Sequence, residues 1–223
     1  MGKNGTVCTA RMQDVMKYNG ETVLRYRIEY PVFRAAGPAS QKLNRYYKQL
    51  AEHNRHSIRS EMYCRAVRQY RYAVHNEIPM PVYEAQTDCV ITEQADCIAS
   101  LYMDRYEYTG GAHGITVRTS QTWNVPMACR FRLDRLLGQC NDPKHYLFEQ
   151  IQSRIAENPE NYFDDAPTLA IKTFDPSQFY CTPQGLVIYY QPYDIAPHSS
   201  GIPEFFFPYS ELVCDPRRVC SVK

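Results

Sequence analysis

The chain has 223 residues and a formal net charge of +1, and 44% of its residues are hydrophobic. That length suits one large domain or two small ones, and the hydrophobic fraction is enough for a core, which excludes wholesale disorder. A nearly neutral chain has no global field that attracts nucleic acid or an anionic membrane. Because it has neither a long apolar run nor an apolar leader, the sequence predicts no membrane span, and a cytoplasmic location as encoded or an extracytoplasmic one if trimmed.

Tyrosine and cysteine stand out in the composition. The 19 tyrosines suit half-buried sheet faces and binding surfaces, because each ring is apolar and each hydroxyl polar. Nine cysteines, an odd number, without an export signal argue against a complete disulfide framework. We therefore expect most thiols to be reduced and buried. Under oxidising conditions the candidate pairs are Cys89 with Cys97 and Cys214 with Cys220.

The N-terminal part of the chain predicts a strand followed by a long helix. Residues 1–20 are polar and show little pattern, which indicates a lead-in, whereas residues 23–33 alternate as a half-buried strand does. From 39 to 75 apolar residues recur every three to four positions, typical of one helix, with a bend expected near 53–56. Its exposed side is basic and could dock on nucleic acid or an acidic partner, but a solvated face is the favoured interpretation.

The rest of the chain alternates strands with two shorter helices. We predict an α+β fold in which antiparallel sheets are covered by one long N-terminal helix and one or two shorter helices. Asp142 and Pro143 suit the start of a helix, as N-cap and first residue. Strands are predicted at 82–92, 95–108, 115–125, 178–181, 186–190 and 204–208, and helices at 142–158 and 168–173.

A glycine-rich bend joins two of these strands and displays a histidine. Gly110, Gly111 and Gly114 indicate positive φ angles or close packing, and His113 lies among them. The bend could be a structural corner or a loop for binding or catalysis; the corner is favoured. The spacing does not fit a dinucleotide-binding or P-loop motif, and no helix follows to receive a phosphate.

Evidence for a metal centre or catalytic set is weak. His53 and His56 could share a helix face, but no third ligand stands at helical spacing, so a solvated pair is favoured. No Gly-x-Ser-x-Gly elbow occurs. If the loop 191–203 met the glycine bend, Asp194 and His198 could join His113 in metal or acid–base chemistry. We predict no catalytic residue, no metal and no cofactor.

Six motifs, in this order, carry a resemblance to a known family. The chain resembles the RsiV-type domain of unknown function over about 98–212, and 21–92 resembles the N-terminal unit that accompanies it. The motifs are Tyr108-Thr-Gly-Gly-Ala-His-Gly114, Thr122-Trp123, Phe131-Arg-Leu-Asp-Arg-Leu-Leu137, Phe179-Tyr-Cys-Thr-Pro-Gln-Gly-Leu-Val-Ile-Tyr189, Tyr193-Asp-Ile-Ala-Pro197 and Gly201-Ile-Pro-Glu-Phe205.

The resemblance implies a bacterial recognition module without catalysis. Such domains form the outer part of lysozyme-sensing anti-sigma factors and precede the catalytic domain of some peptidoglycan deacetylases. We therefore expect a stand-alone soluble member with an N-terminal unit at 21–92 and an RsiV-like unit at 93–215, packed as one globular body. Its ligand would be a lysozyme-like protein or a cell-wall glycan, with no nucleic acid. The alternative is a metal- or acid–base-dependent hydrolase or deacetylase of cell-wall carbohydrate. The expected binding residues are Gly110, Gly111, His113, Gly114, Trp123, Tyr193, Asp194 and His198.

Overall fold

The computed structural model describes residues 7–95, 97–138 and 142–220. The chain forms two compact units. The first unit contains the residues up to Val90 together with Met103–Arg118, and the second contains Ile91–Tyr102 and the residues from Thr119 onwards. Strands and helices alternate along the chain in an α+β arrangement, which confirms the predicted fold class.

Six strands form the larger sheet in their order along the chain. The first two strands are antiparallel, whereas the second and third are parallel. The parallel pair departs from the antiparallel expectation, because the helix between these strands carries the chain back across the sheet before the third begins. The strands are β1 (Val7–Tyr18), β2 (Glu21–Phe33), β3 (Tyr83–Ala95), β4 (Ile98–Tyr108), β5 (Ile115–Asn124) and β6 (Cys129–Arg130).

Strand β1 corrects the prediction that residues 1–20 are a patternless lead-in. Met12, Met16 and Tyr18 lie at even positions and pack against the core of the first unit. Asp14 shares this parity and breaks the apolar alternation in the sequence. Its carboxylate accepts a hydrogen bond from Arg59 Nη1 at 2.6 Å. Asp14 therefore makes the strand hard to recognise from the sequence, because Arg59, which pairs with it, lies 45 residues away.

The predicted helix over 39–75 is confirmed, with one irregularity. Helix α1 (Pro38–Ser57) continues through a π-helical turn at Ile58–Met62 into α2 (Tyr63–His75). The turn lies just beyond the expected bend, and Ile58 and Met62 are both buried there. The helix and the strands of the first unit share one core, formed by Val23, Leu24, Tyr26, Ile28, Ala51, Ile58, Met62, Ala66, Tyr83 and Ala85.

The second unit combines helices with a small antiparallel sheet. Helix α3 (Pro143–Glu157) begins as predicted, because the Asp142 side chain accepts a hydrogen bond from His145 N at 3.0 Å. The middle strand of the small sheet is buried on both faces, so it is the centre of this unit. The other elements are α4 (Ala166–Lys172), β7 (Phe179–Cys181), β8 (Gly185–Tyr189), β9 (Glu204–Pro208) and α5 (Pro216–Cys220).

A disulfide bond joins Cys97 to Cys220 within the second unit. Both expected pairings are therefore wrong, and Cys89 and Cys214 are free thiols. The two bonded residues are 123 positions apart, so their proximity follows from the folding of α5 towards the start of β4 and not from local spacing. None of the helices in the described residues combines the length and the apolar composition that a membrane span requires.

Candidate functional site

The glycine bend belongs to the first unit and combines unusual backbone angles with close packing. Gly110 and Gly111 have φ angles of 98° and 97°, in the region that strongly favours glycine. The Tyr108 hydroxyl donates a hydrogen bond to the Gly111 carbonyl at 3.1 Å. Gly114 is buried, and a Cβ there would meet the Tyr106 ring and the Glu107 carbonyl. Gly110 and Gly111 thus allow positive φ angles, and Gly114 leaves room for the Tyr106 ring and the Glu107 carbonyl.

His113 is exposed at this corner. Its Nδ1 lies 3.1 Å from the carbonyl oxygen of Gly114, so the backbone of the next residue orients the ring. The bend therefore presents an oriented imidazole on the surface of the first unit.

The proline-rich loop 191–203 holds an exposed aromatic pair in the second unit. Tyr193 has a φ angle of 70°, which is uncommon for a residue other than glycine, and it is 52% exposed. Its ring centroid lies 5.8 Å from that of His198, which is also exposed. Ile195 and Ala196, which lie between Tyr193 and His198 in the sequence, are fully buried and anchor the loop.

Asp194 stabilises this loop from within. Its Oδ2 accepts a hydrogen bond from Gln191 N at 2.9 Å, while its own N–H donates to the Gln191 carbonyl at 3.1 Å. Burial raises the pKa of Asp194, and the hydrogen bond from Gln191 opposes that shift only in part. The carboxylate therefore fixes the turn on which Tyr193 stands.

Trp123 is buried, with 6% of its surface exposed. It lies opposite Arg130 in the pairing of β5 with β6, and the Arg130 guanidinium carbon is 5.0 Å from the ring centroid. A buried ring of this kind supports its neighbours and offers little surface to a ligand. The Trp123 ring therefore supports the Arg130 side chain that lies over it.

The expected site residues divide between the two units. Gly110, Gly111, His113 and Gly114 belong to the first unit, and Trp123, Tyr193, Asp194 and His198 belong to the second. Within the second unit the structure brings Tyr193 and His198 together. Among the described residues, no three His, Cys, Asp or Glu side chains are grouped as a metal site would require.

Arg130 and Lys144, which are not among the residues predicted from the sequence, line a cavity of about 560 Å³ in the second unit. Arg130, Phe131 and Arg132 are consecutive, and this alternation of basic and aromatic residues is a signal that could have drawn attention to the segment. Lys144 follows the helix-starting Asp142-Pro143 pair, whose pattern predicts a helix cap and no ligand contact. Nothing in the sequence indicates that these segments meet.

Two family models match separate parts of the chain. Residues 18–116 match the family described as "Deacetylase PdaC", and residues 135–210 match the one described as "Protein of unknown function (DUF3298)". The glycine bend lies in the first matched segment and the loop 191–203 in the second. The chain is thus similar to both families, and each match covers less than half of the chain. No curated protein matches the chain.

Two solved structures share the fold of nearly the whole chain. The crystal structure of a DUF3298 family member from Bacteroides fragilis NCTC 9343 covers 99% of this chain and 100% of its own, with a TM-score of 0.69 and 19% identity. A DUF3298 family protein from Pseudomonas aeruginosa PAO1 covers 95% of this chain and 96% of its own, with a TM-score of 0.62 and 17% identity. At these identities the likeness concerns the fold alone.

Proposed function

We propose that the chain is a recognition module without catalysis, of the RsiV-like type, which binds its ligand through the exposed Tyr193–His198 pair. The observation that carries this proposal is the backbone of Tyr193. Its positive φ costs free energy, and such outliers cluster at functional sites when the surrounding structure holds them in place. Here the Asp194–Gln191 hydrogen bonds and the buried Ile195 and Ala196 do so.

The proposed ligand is a cell-wall glycan or a lysozyme-like protein. A tyrosine ring with a polar tip covers an apolar patch while its hydroxyl still forms hydrogen bonds, and tyrosine is enriched among residues that dominate binding energy. The imidazole of His198 adds a second flat surface at 5.8 Å. Two likenesses support this choice of ligand: residues 18–116 match a family described as a deacetylase, and the sequence motifs resemble the RsiV-type domain of lysozyme-sensing proteins.

We propose further that the module works outside the cytoplasm. The Cys97–Cys220 disulfide supports this location, because disulfides persist in oxidising compartments and are rare where thiols are kept reduced. Cell-wall glycan and lysozyme are both found in such a compartment. Mass spectrometry of the protein taken directly from the producing cell would test this: a bonded pair is expected, and two free thiols would contradict it.

The binding test compares two exposed tyrosines. Titration calorimetry with lysozyme and with soluble peptidoglycan fragments should detect one of the two ligands, and Tyr193→Ala should weaken that binding by about tenfold or more. Tyr72→Ala is the matched control, because Tyr72 is 58% exposed in the first unit. Absence of binding to both ligands, or equal losses in the two variants, would refute the proposal.

A second candidate, deacetylation of cell-wall carbohydrate, is favoured by the match of residues 18–116 to the deacetylase family, a segment that includes His113. It would use His113, the histidine of the glycine bend, as an acid, a base or a metal ligand. Acetate release from an N-acetylated chitooligosaccharide, with and without added divalent metal, tests it. If the protein releases acetate and the His113→Ala variant does not, this candidate is supported over the first. If no acetate is released with or without metal, this candidate is refuted.

A further inference from the structure

The last part of the chain encloses a cavity in the second unit. Its volume is about 690 Å³, within the range of about 300–1,000 Å³ typical of small-molecule sites. Residues 209–211 and 214–215, which follow β9, form one part of its wall, and residues 217–219 of α5 form the other. None of the site residues predicted from the sequence lines this cavity, so it has no part in the function proposed above.

The wall of this cavity is held in place by bonds within the protein. The turn after β9 is closed by a hydrogen bond from Ser210 N–H to the Val213 carbonyl at 2.9 Å, and the Val213 side chain is buried. Helix α5 is tied to the start of β4 by the Cys97–Cys220 disulfide. A ligand that enters a wall already ordered loses less free energy to the ordering of the protein.

One ion pair of the wall is already complete. Arg217 Nη2 lies 2.7 Å from Asp215 Oδ2, and Arg217 Nε donates to both Asp215 oxygens at 2.9 Å. The same guanidinium lies over the Tyr209 ring at 5.8 Å, and its Nη1 is 4.0 Å from Oε2 of the buried Glu93. The charges of Arg217 and Asp215 are therefore balanced within the protein, and we assign them no ligand.

Two opposite charges of the wall remain available to a ligand. Glu211 and Arg218 both line the cavity and are both exposed. Within the part of the chain that the structure describes, neither side chain forms an ion pair or a hydrogen bond, and they do not pair with each other. The cavity thus presents one carboxylate and one guanidinium, which together are complementary to a ligand that carries an ammonium group and a carboxylate.

The Ser210 hydroxyl adds a hydrogen-bond donor to the same wall. Its Oγ accepts from Leu212 N at 3.1 Å and from Val213 N at 3.2 Å. A hydroxyl group has two acceptor lone pairs and one proton to donate. Because both lone pairs are used within the turn, the Ser210 hydroxyl can offer a ligand only its proton, which suits a carboxylate or carbonyl oxygen.

We propose that this cavity binds a short peptide with two free ends. The peptide carboxylate accepts hydrogen bonds from Arg218 and the Ser210 hydroxyl, and the peptide ammonium group donates to Glu211, all of them charge-assisted. Tyr209 and Val219 provide apolar surface for the side chains between the two ends. A short peptide is favoured over a single amino acid, because the cavity is larger than one amino acid fills.

Three related peptides test the requirement for both charges. Titration calorimetry compares trialanine with its N-acetylated form and with its C-terminal amide, each of which lacks one charge. We expect saturable binding of trialanine, and at least about fivefold weaker binding of each blocked form, because an ion pair with an exposed partner contributes up to about 1 kcal/mol. Equal affinity for the three peptides, or no binding of trialanine, would overturn the proposal. Free alanine that binds as tightly as trialanine would overturn the assignment to a peptide.

Substitutions at the two exposed charges localise each end of the peptide. Arg218→Gln should weaken trialanine binding by about fivefold and leave binding of the amide unchanged, and Glu211→Gln should do the same for trialanine and the acetylated form. Arg135→Gln and Glu157→Gln remove exposed charges of the same unit that do not line the cavity, and should have no effect. If Arg218→Gln weakens the amide as much as trialanine, the carboxylate does not bind there. Tyr193→Ala should leave peptide binding intact, so the two proposals fail independently.

Discussion

In the first unit one helix, from Pro38 to His75, covers a sheet, whereas in the second unit a small sheet is buried among short helices and loops. The described ion pairs of the first unit include Arg11–Glu29 at 2.7 Å and Arg59–Asp14 at 2.6 Å, with largely exposed arginines. The second unit is cross-linked by the Cys97–Cys220 disulfide. Of the two units, only the second has a disulfide among its described residues.

The two units also differ in how far apart in the sequence their interacting residues lie. In the first unit the long helix and β2 repeat at helical or strand spacing, so these segments show their buried face locally. In the second unit Cys181, on β7, donates from its N–H to Ser100 Oγ at 2.8 Å and accepts at its carbonyl from Thr92 Oγ1 at 2.7 Å. These partners are 81 and 89 residues away. A comparison of the units thus separates local from long-range determinants of one fold.

Removal of the disulfide should produce the largest effect. Replacing Cys97 and Cys220 together by serine should lower the free energy of unfolding by about 2–5 kcal/mol, because the bond closes a long loop in the unfolded chain. Urea denaturation followed by hydrogen exchange would measure the loss and locate it in the second unit. Cys129→Ser, at an exposed free cysteine, is the control. An equal loss of hydrogen-exchange protection in the first unit would show that the disulfide does not stabilise the second unit specifically.

A half-buried ion pair should matter next, in the first unit. Arg118 is 8% exposed and its Nε and Nη2 each lie 2.7 Å from an oxygen of Asp104, which is 24% exposed. Arg118→Ala should cost about 2–3 kcal/mol, somewhat less than breaking a fully buried pair, because water still reaches the carboxylate. Arg105→Ala removes the exposed partner of Glu107 and should change stability by less than about 1 kcal/mol. Similar urea midpoints for the two variants would contradict this ranking.

The glycine bend allows a matched test of conformation against space. Gly114→Ala should destabilise by about 2 kcal/mol, because the new Cβ would lie 2.6 Å from the Glu107 carbonyl oxygen and also meet the Tyr106 ring. Gly111→Ala meets no atom within 4 Å and should cost only the strain of its positive φ, about 1 kcal/mol. Thermal unfolding of both variants checks the order. A larger loss in Gly111→Ala would show that backbone conformation dominates at this corner.

Thiol reactivity should differ by burial and not by unit. Burial raises the pKa of Cys89, in the first unit, to about 12, and the pKa of Cys181, in the second, to about 11. Both are therefore protonated at pH 7, and the thiolate that attacks iodoacetamide is scarce. The exposed Cys64 and Cys129, one in each unit, should be alkylated first, as peptide mass spectrometry would show. Modification of Cys181 but not Cys89 would indicate that the second unit opens more readily.

Prediction from the sequence succeeded where burial repeats locally. The helix over 39–75, β2 and the start of α3 at Asp142 all follow from spacing or capping, and the structure confirms them. Strand β1 was missed because Asp14 interrupts its apolar face, and that carboxylate is compensated by Arg59 on the π-helical turn. For the candidate site, spacing identified the glycine bend and the loop 191–203 as unusual backbone, but it could not pair Tyr193 with His198 or bring Arg130 near Lys144.

By itself the sequence determined the α+β class, the long helix and the positions of the two unusual loops, because a periodic pattern records which face of a segment is buried. Only the tertiary structure decided that β2 and β3 run parallel, that Cys97 bonds to Cys220, and that Arg130 and Lys144 line one cavity. Each of these depends on segments far apart in the chain. No local pattern records which distant surface a buried face will meet.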